Sequence, residues 1–198
     1  MSDIAAQHEI EPTSLGVDNR KLAIWTFIAS EVMFFTGLIV TYMVMRGRSV
    51  SGPYPADVLS VPVVAVNTFV LLASSFTMVT ALSAIQQGDV GRMRRFLVAT
   101  AVLGLIFLSG QAYEFTSLGL DGASLSGNLF GATFFTLTGF HGMHVFVGVI
   151  WIAFVLARAF RGGVTQDNHL AVELVGLYWH FVDIVWIIIF TVVYLLRM

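Results

Sequence analysis

Five stretches, roughly 22–45, 61–86, 96–117, 129–157 and 170–196, are continuously apolar over a length that a soluble fold rarely buries. A helix rises ~1.5 Å per residue, so ~20 apolar residues cross the ~30 Å hydrocarbon layer of a bilayer. The runs are long and unbroken, whereas barrel strands are short and alternate, so helices are expected and strands are not. Between them lie RGRSVSGPYPAD, QQGDVGRMRR, LGLDGASLSGN and RAFRGGVTQDN, whose Gly, Pro, Asp, Asn and Arg are turn chemistry. With 57% hydrophobic and 11% charged residues, the composition is that of an integral membrane protein. The expected fold class is therefore all-α: a polytopic membrane protein, a bundle of five transmembrane helices over 21–198.

The first twenty residues form a polar N-terminal tail. They carry Asp3, Glu9, Glu11 and Asp18 and lack the basic start and small-residue cleavage site of a signal peptide. The chain has no cysteine, which excludes disulfides, thiolate metal sites and cysteine nucleophiles. A net charge of −2, with dispersed basic residues, points to no nucleic acid partner. No nucleophile elbow, Walker loop or zinc-protease helix is present.

Lys and Arg flanking the spans set orientation. Seven of the ten, Arg20, Lys21, Arg92, Arg94, Arg95, Arg158 and Arg161, fall on one side, and Arg46, Arg48 and Arg197 on the other. The N-terminus is then expected in the cytoplasm and the C-terminus outside. Trp25, Tyr54, Tyr113 and Tyr194 suit interfacial anchors, and Arg92, Arg94 and Arg95 suit a positive-inside loop that meets lipid headgroups.

Four acids, Glu31, Glu114, Glu173 and Asp183, fall inside the spans, and no Lys or Arg falls well inside one. A carboxylate there must be protonated, hydrogen-bonded or hydrated. Glu31 stands about nine residues into its span, roughly 14 Å at helical rise and near the bilayer centre. The ~100° helical step places Glu173, Gly176, His180 and Asp183 on one face, and Thr138, His141, His144 and Gly148 on another. Gly104, Phe107, Gln111 and Glu114 make a third face; Asn67, Leu71, Ser74 and Met78 make a fourth. These faces are expected to meet in a polar interior, with the glycines permitting close helix approach. Glu31 is set apart, because its helical neighbours are Phe27, Phe34, Phe35 and Leu38.

His141 and His144, with His180 as a third group, have the chemistry of metal or axial heme ligands. Hydrogen bonds that fasten helices are the commoner use of such histidines. For Glu173, His180 and Asp183 the alternatives are packing specificity and a proton relay; for Glu31, a protonated packing acid and a proton-uptake group.

The segments WTFIASEVMFFTGL (25 to 38), VPVVAVNTFVLLASS (61 to 75), QAYEF (111 to 115), ATFFTLTGFHGMHVFVG (132 to 148) and YWHFVDIVWIIIF (178 to 190) resemble subunit III of the heme-copper terminal oxidases. The resemblance covers every span in order. It implies a subunit without redox centres of its own, in a multi-subunit oxidoreductase that reduces oxygen to water and pumps protons, either a cytochrome c oxidase or a quinol oxidase. Heme and copper would sit in partner subunits, with subunit I in direct contact, subunit II and others nearby, and bound phospholipid in a cleft. The setting would be a bacterial cytoplasmic (inner) membrane. Glu31 matches the family's buried carboxylate, discussed in connection with proton entry. Asn67, Gln111, Glu114, His141, His144, Glu173, His180 and Asp183 become polar interior positions and not metal ligands. The mitochondrial-type subunit has seven spans, and this chain corresponds to a form that begins at the third. Five-span relatives occur in bacterial oxidases and in a smaller protein accompanying nitric oxide reductase. Two alternatives are thus an accessory protein of a nitric oxide reductase and a membrane b-type cytochrome liganded by His141 or His144 and His180.

Overall fold

A computed structural model describes residues 18–49, 59–120 and 122–196. The tail before Asp18, Tyr54 and Arg197 lie outside the described residues. Five helices run through the rest: α1 Asn19–Met45, α2 Val61–Gln86, α3 Val90–Leu120, α4 Leu129–Phe160 and α5 Leu170–Phe190, the last continued by a π-helical turn, Thr191–Leu195. Each is long and apolar enough to cross a membrane, and the described residues contain no strand.

The helix ends follow local chemistry. The Asp18 carboxylate accepts from Arg20 N at 2.7 Å to cap α1, and the Asn128 side-chain Oδ1 accepts from Gly131 N at 2.7 Å to cap α4. Helix α3 starts six residues before the expected apolar span. Gly88, at φ 80°, ends the preceding turn, and Asp89 accepts from Arg92 N at 2.8 Å, so the basic residues enter the first helical turns. An apolarity criterion places that boundary too late because it stops at the charges.

Helix α5 is the centre of the bundle. In its most apolar window 61% of residues are buried, against 11% in α1. It packs against α2, α4 and α1; α3 joins α2 to α4, and α1 lies outside on α4 and α5. Trp179 of α5 is fully buried between two glycines. A Cβ on Gly104 of α3 would stand 2.7 Å from its Cη2, and one on Gly148 of α4 2.9 Å from Cε3 and Cζ3. Gly148→Leu is therefore expected to overpack the centre and destabilise the protein by ~1–3 kcal/mol or more. A lowered melting temperature of the detergent-solubilised protein is the check.

Trp25 and Tyr113 point outward, 56% and 69% exposed, as interfacial anchors would. Tyr194 does not: it is buried, because the wider π turn, closed by Leu196 N donating to Thr191 O at 3.0 Å, rotates it inward.

Candidate functional site: a polar seam and an acid–base pair

Polar side chains join the helices along a seam through the bundle. From α5, the Trp179 indole donates to Ser74 Oγ and the Trp186 indole to Thr68 Oγ1, both at 2.9 Å. Gln111 of α3 donates to the Thr138 carbonyl at 2.6 Å, and Asn67 of α2 to the Phe107 carbonyl at 3.0 Å. Each partner is a hydroxyl or carbonyl already bound within its own helix or free to accept, so the seam locks register without a net charge. Gly142 leaves room for the Gln111 amide, whose Oε1 would lie 2.5 Å from an added Cβ.

The two histidines of GFHGMH diverge. Three residues at ~100° leave them ~60° apart around the helix axis, enough to send one inward and the other toward α1. His141 is completely buried, its ring stacked on Trp186 at 4.8 Å with Phe107 at its edge, 5.8 Å away. Neither of its nitrogens has a hydrogen-bond partner among the described residues. His144 is half-buried. Its Nδ1 lies 2.7 Å from the Phe140 carbonyl and its Nε2 3.1 Å from Glu31 Oε2.

The carbonyl contact sets the tautomer of the ring. A carbonyl only accepts, so Nδ1 carries its hydrogen. Nε2 then either accepts a hydrogen bond from a protonated Glu31 or, as part of an imidazolium, donates to the Glu31 carboxylate. Either way the 3.1 Å contact joins an acid on α1 to a base on α4. Glu31 is thus not the isolated acid that its phenylalanine neighbours suggest, since the fourth helix supplies a base. The Tyr178 hydroxyl donates to the His144 carbonyl at 2.9 Å and steadies this turn of α4. A groove of about 910 Å³ runs beside the pair between α1, α4 and α5, lined by Phe27, Phe34, Met143, Val147 and Trp151 among others.

The remaining sites divide by position. His180 Nδ1 is 2.7 Å from Ser75 Oγ, and Asp183, almost fully buried, lies near the same hydroxyl but outside hydrogen-bond geometry. Glu173 has a cationic partner after all: Lys21 Nζ is 2.6 Å away across α1 and α5. Lys21 precedes the expected start of the first span, and its long side chain reaches inward from the helix end. At the other end Tyr194 donates to Glu114 Oε2 at 2.9 Å. Arg94 donates to the Ala159 carbonyl at the end of α4, with its guanidinium 5.1 Å from the Phe160 ring; Arg92 lies over Phe96, and Arg95 is exposed.

His141, His144 and His180 do not converge, and no group of three His, Cys, Asp or Glu among the described residues could hold a metal ion. Ser75, Tyr178 and Tyr194 join the site without having been picked out in the sequence as its members. A hydroxyl in an apolar run has no periodic signature, and its partner lies on a helix far away in the chain.

Fold and seam together define a multi-pass helical membrane protein whose buried polar groups bind helix to helix. The family model for cytochrome c oxidase subunit III matches residues 6–197. The chain is 37% identical to cytochrome c oxidase subunit 3 of Thermostichus vulcanus over 196 residues, covering 95% of this chain and 96% of that one. It is 41% identical to the probable cytochrome c oxidase subunit 3 of Mycobacterium tuberculosis over 172 residues, covering 86% and 85%. With the subunit 3 of Bacillus sp. strain PS3 it shares 36% over 180 residues, covering 91% and 87%. The chain belongs to the cytochrome c oxidase subunit III family, the non-catalytic subunit of heme-copper oxidases. These relatives support that reading and neither the nitric oxide reductase accessory nor the b-type cytochrome.

Proposed function

We propose that this chain is subunit III of a bacterial terminal oxidase in the cytoplasmic membrane, seated directly against subunit I with subunit II in the same complex. Heme and copper belong to those partner chains, and oxygen is reduced there. This subunit stabilises the catalytic subunit and supports its proton uptake through Glu31, with phospholipid in the groove beside that residue. The N-terminus and the basic ends of the spans face the cytoplasm, following the asymmetry of Lys and Arg.

One observation supports the reading: His144 Nε2 lies 3.1 Å from Glu31 Oε2, an acid beside a base at the wall of a groove about 910 Å³ in volume. An acid and a base sharing a proton can pass it on with little reorganisation, whereas a lone carboxylate in phenylalanine cannot. Of the other polar interior groups, Asn67, Gln111, Glu114, Glu173 and His180 bond one helical segment to another, His141 packs between Trp186 and Phe107, and Asp183 is a buried acid of α5. Arg92 and Arg95 meet lipid headgroups, while Arg94 also ties α3 to the end of α4.

Purification of the tagged chain in mild detergent, with identification of its companions by mass spectrometry, tests this. The expected result is co-isolation of oxidase subunits I and II and a Soret band from the complex. A Soret band retained by the isolated chain, or the absence of oxidase subunits, would overturn it.

A further inference from the structure

The end of α5 leaves the α register at a point where each of two registers offers its side chains a place. In an unbroken α-helix Tyr194 would stand over Ile187 and Thr191, seven and three residues earlier, both exposed. Leu196 would stand over Ile189, Val192 and Val193, all buried. The π-helical turn Thr191–Leu195 reverses this exchange. Closed by Leu196 N donating to Thr191 O at 3.0 Å, it leaves Tyr194 1% and Leu196 44% exposed.

Leucine inside and tyrosine at the end of a span is the ordinary arrangement, because the amphipathic ring suits the membrane interface. What holds the other register is specific. The Tyr194 hydroxyl donates to Glu114 Oε2 of α3 at 2.9 Å, and its ring stacks on Phe190 at 5.7 Å and meets Phe134 edge-on at 6.3 Å. A hydrogen bond kept away from water is stronger than the same bond at a surface. Single π turns are rare and concentrate at functional positions, and here the turn brings one hydroxyl to one carboxyl group.

We propose that the last turn of α5 is a two-register element, latched in the π form by Tyr194 on Glu114. When the latch opens, the turn relaxes to the α form, with Tyr194 turned out and Leu196 turned in. The consequence reaches a neighbour. A chain packed on this end of α5 meets Leu196 in one register and Tyr194 in the other, so its contact and the Glu114–Tyr194 bond are linked and each biases the other.

The chain contains no cysteine, so a single introduced one reports the register. Leu196→Cys in the intact complex reacts readily with a water-soluble maleimide, read by mass spectrometry of this chain. Adding Glu114→Leu opens the latch and is expected to slow that labelling about tenfold or more, the scale on which the loss of a buried hydrogen bond shifts such an equilibrium. Glu114→Gln keeps an acceptor for Tyr194, and labelling stays fast. Tyr194→Phe combined with Glu114→Leu removes the hydroxyl that had lost its bond, and fast labelling returns. Leu195→Cys is the control: in the α register it stands over Ile188 and Thr191, both exposed, and in the π register it is 56% exposed, so it labels at one rate throughout. Unchanged labelling of Leu196→Cys in the Glu114→Leu background overturns the proposal. So does slow labelling that persists with Tyr194→Phe, or slowing that appears equally at Leu195→Cys. If Glu114→Leu fails to assemble, Glu114→Ala takes its place with the same expected and overturning results.

Discussion

Trp186→Ala should cost ~3–5 kcal/mol of stability, the range for removing a large aromatic from a close-packed interior. The side chain is almost completely buried; it stacks on His141 at 4.8 Å, meets the Phe107 ring edge-on at 4.8 Å and donates to Thr68 at 2.9 Å. Its loss opens a cavity at the meeting point of α2, α3, α4 and α5. It also strands His141, whose nitrogens have no hydrogen-bond partner among the described residues and whose ring is held by aromatic contacts to Trp186 and Phe107. Trp186→Phe retains most of the ring and loses only the indole donor, so a cost nearer ~1 kcal/mol is expected, that of one buried hydrogen bond. Thermal unfolding of the complex in detergent, followed by the release of this subunit, measures both. Equal losses for the two substitutions would show that the hydrogen bond, and not the packed ring, holds this layer.

The architecture was largely legible before any coordinates, because a bilayer allows few choices. Apolar length named the five helices, and the helical step put Leu71, Ser74 and Met78, Phe107 and Gln111, and Thr138 and His141 on buried faces. Periodicity sees one helix at a time, however, and partners lie on different helices. Hence Glu31 read as an acid among phenylalanines, although His144 completes it from 113 positions away in the chain. Glu173 read as an interior carboxylate, although Lys21 answers it from the start of α1. Tyr194 read as an interfacial anchor until the π turn rotated it onto Glu114. In each case the missing quantity was a relation between helices, or a local change in helical pitch, that composition does not encode.

That relation yields the largest functional effect. If one proton is shared by Glu31 and His144, removing either group removes the sharing, and removing both does little more. Glu31→Ala and His144→Ala are each expected to slow proton-linked turnover of the oxidase, or to shorten its active lifetime, while heme content stays unchanged. The double substitution should fall short of additivity by ~0.5–3 kcal/mol, as coupled neighbours do. Glu31→Gln separates proton handling from packing. Its amide can still donate a hydrogen bond to Nε2 at the same distance, so the assembly keeps its stability, but it has no proton to give up. Unfolding temperature should therefore stay near that of the unaltered complex while proton-linked turnover drops toward the Glu31→Ala level. Turnover of Glu31→Gln equal to that of the unaltered complex would show the pair to be a fastening between α1 and α4. Loss of heme in any of these variants would point to a structural failure of the catalytic subunit, and the assignment of proton support to Glu31 would then be withdrawn.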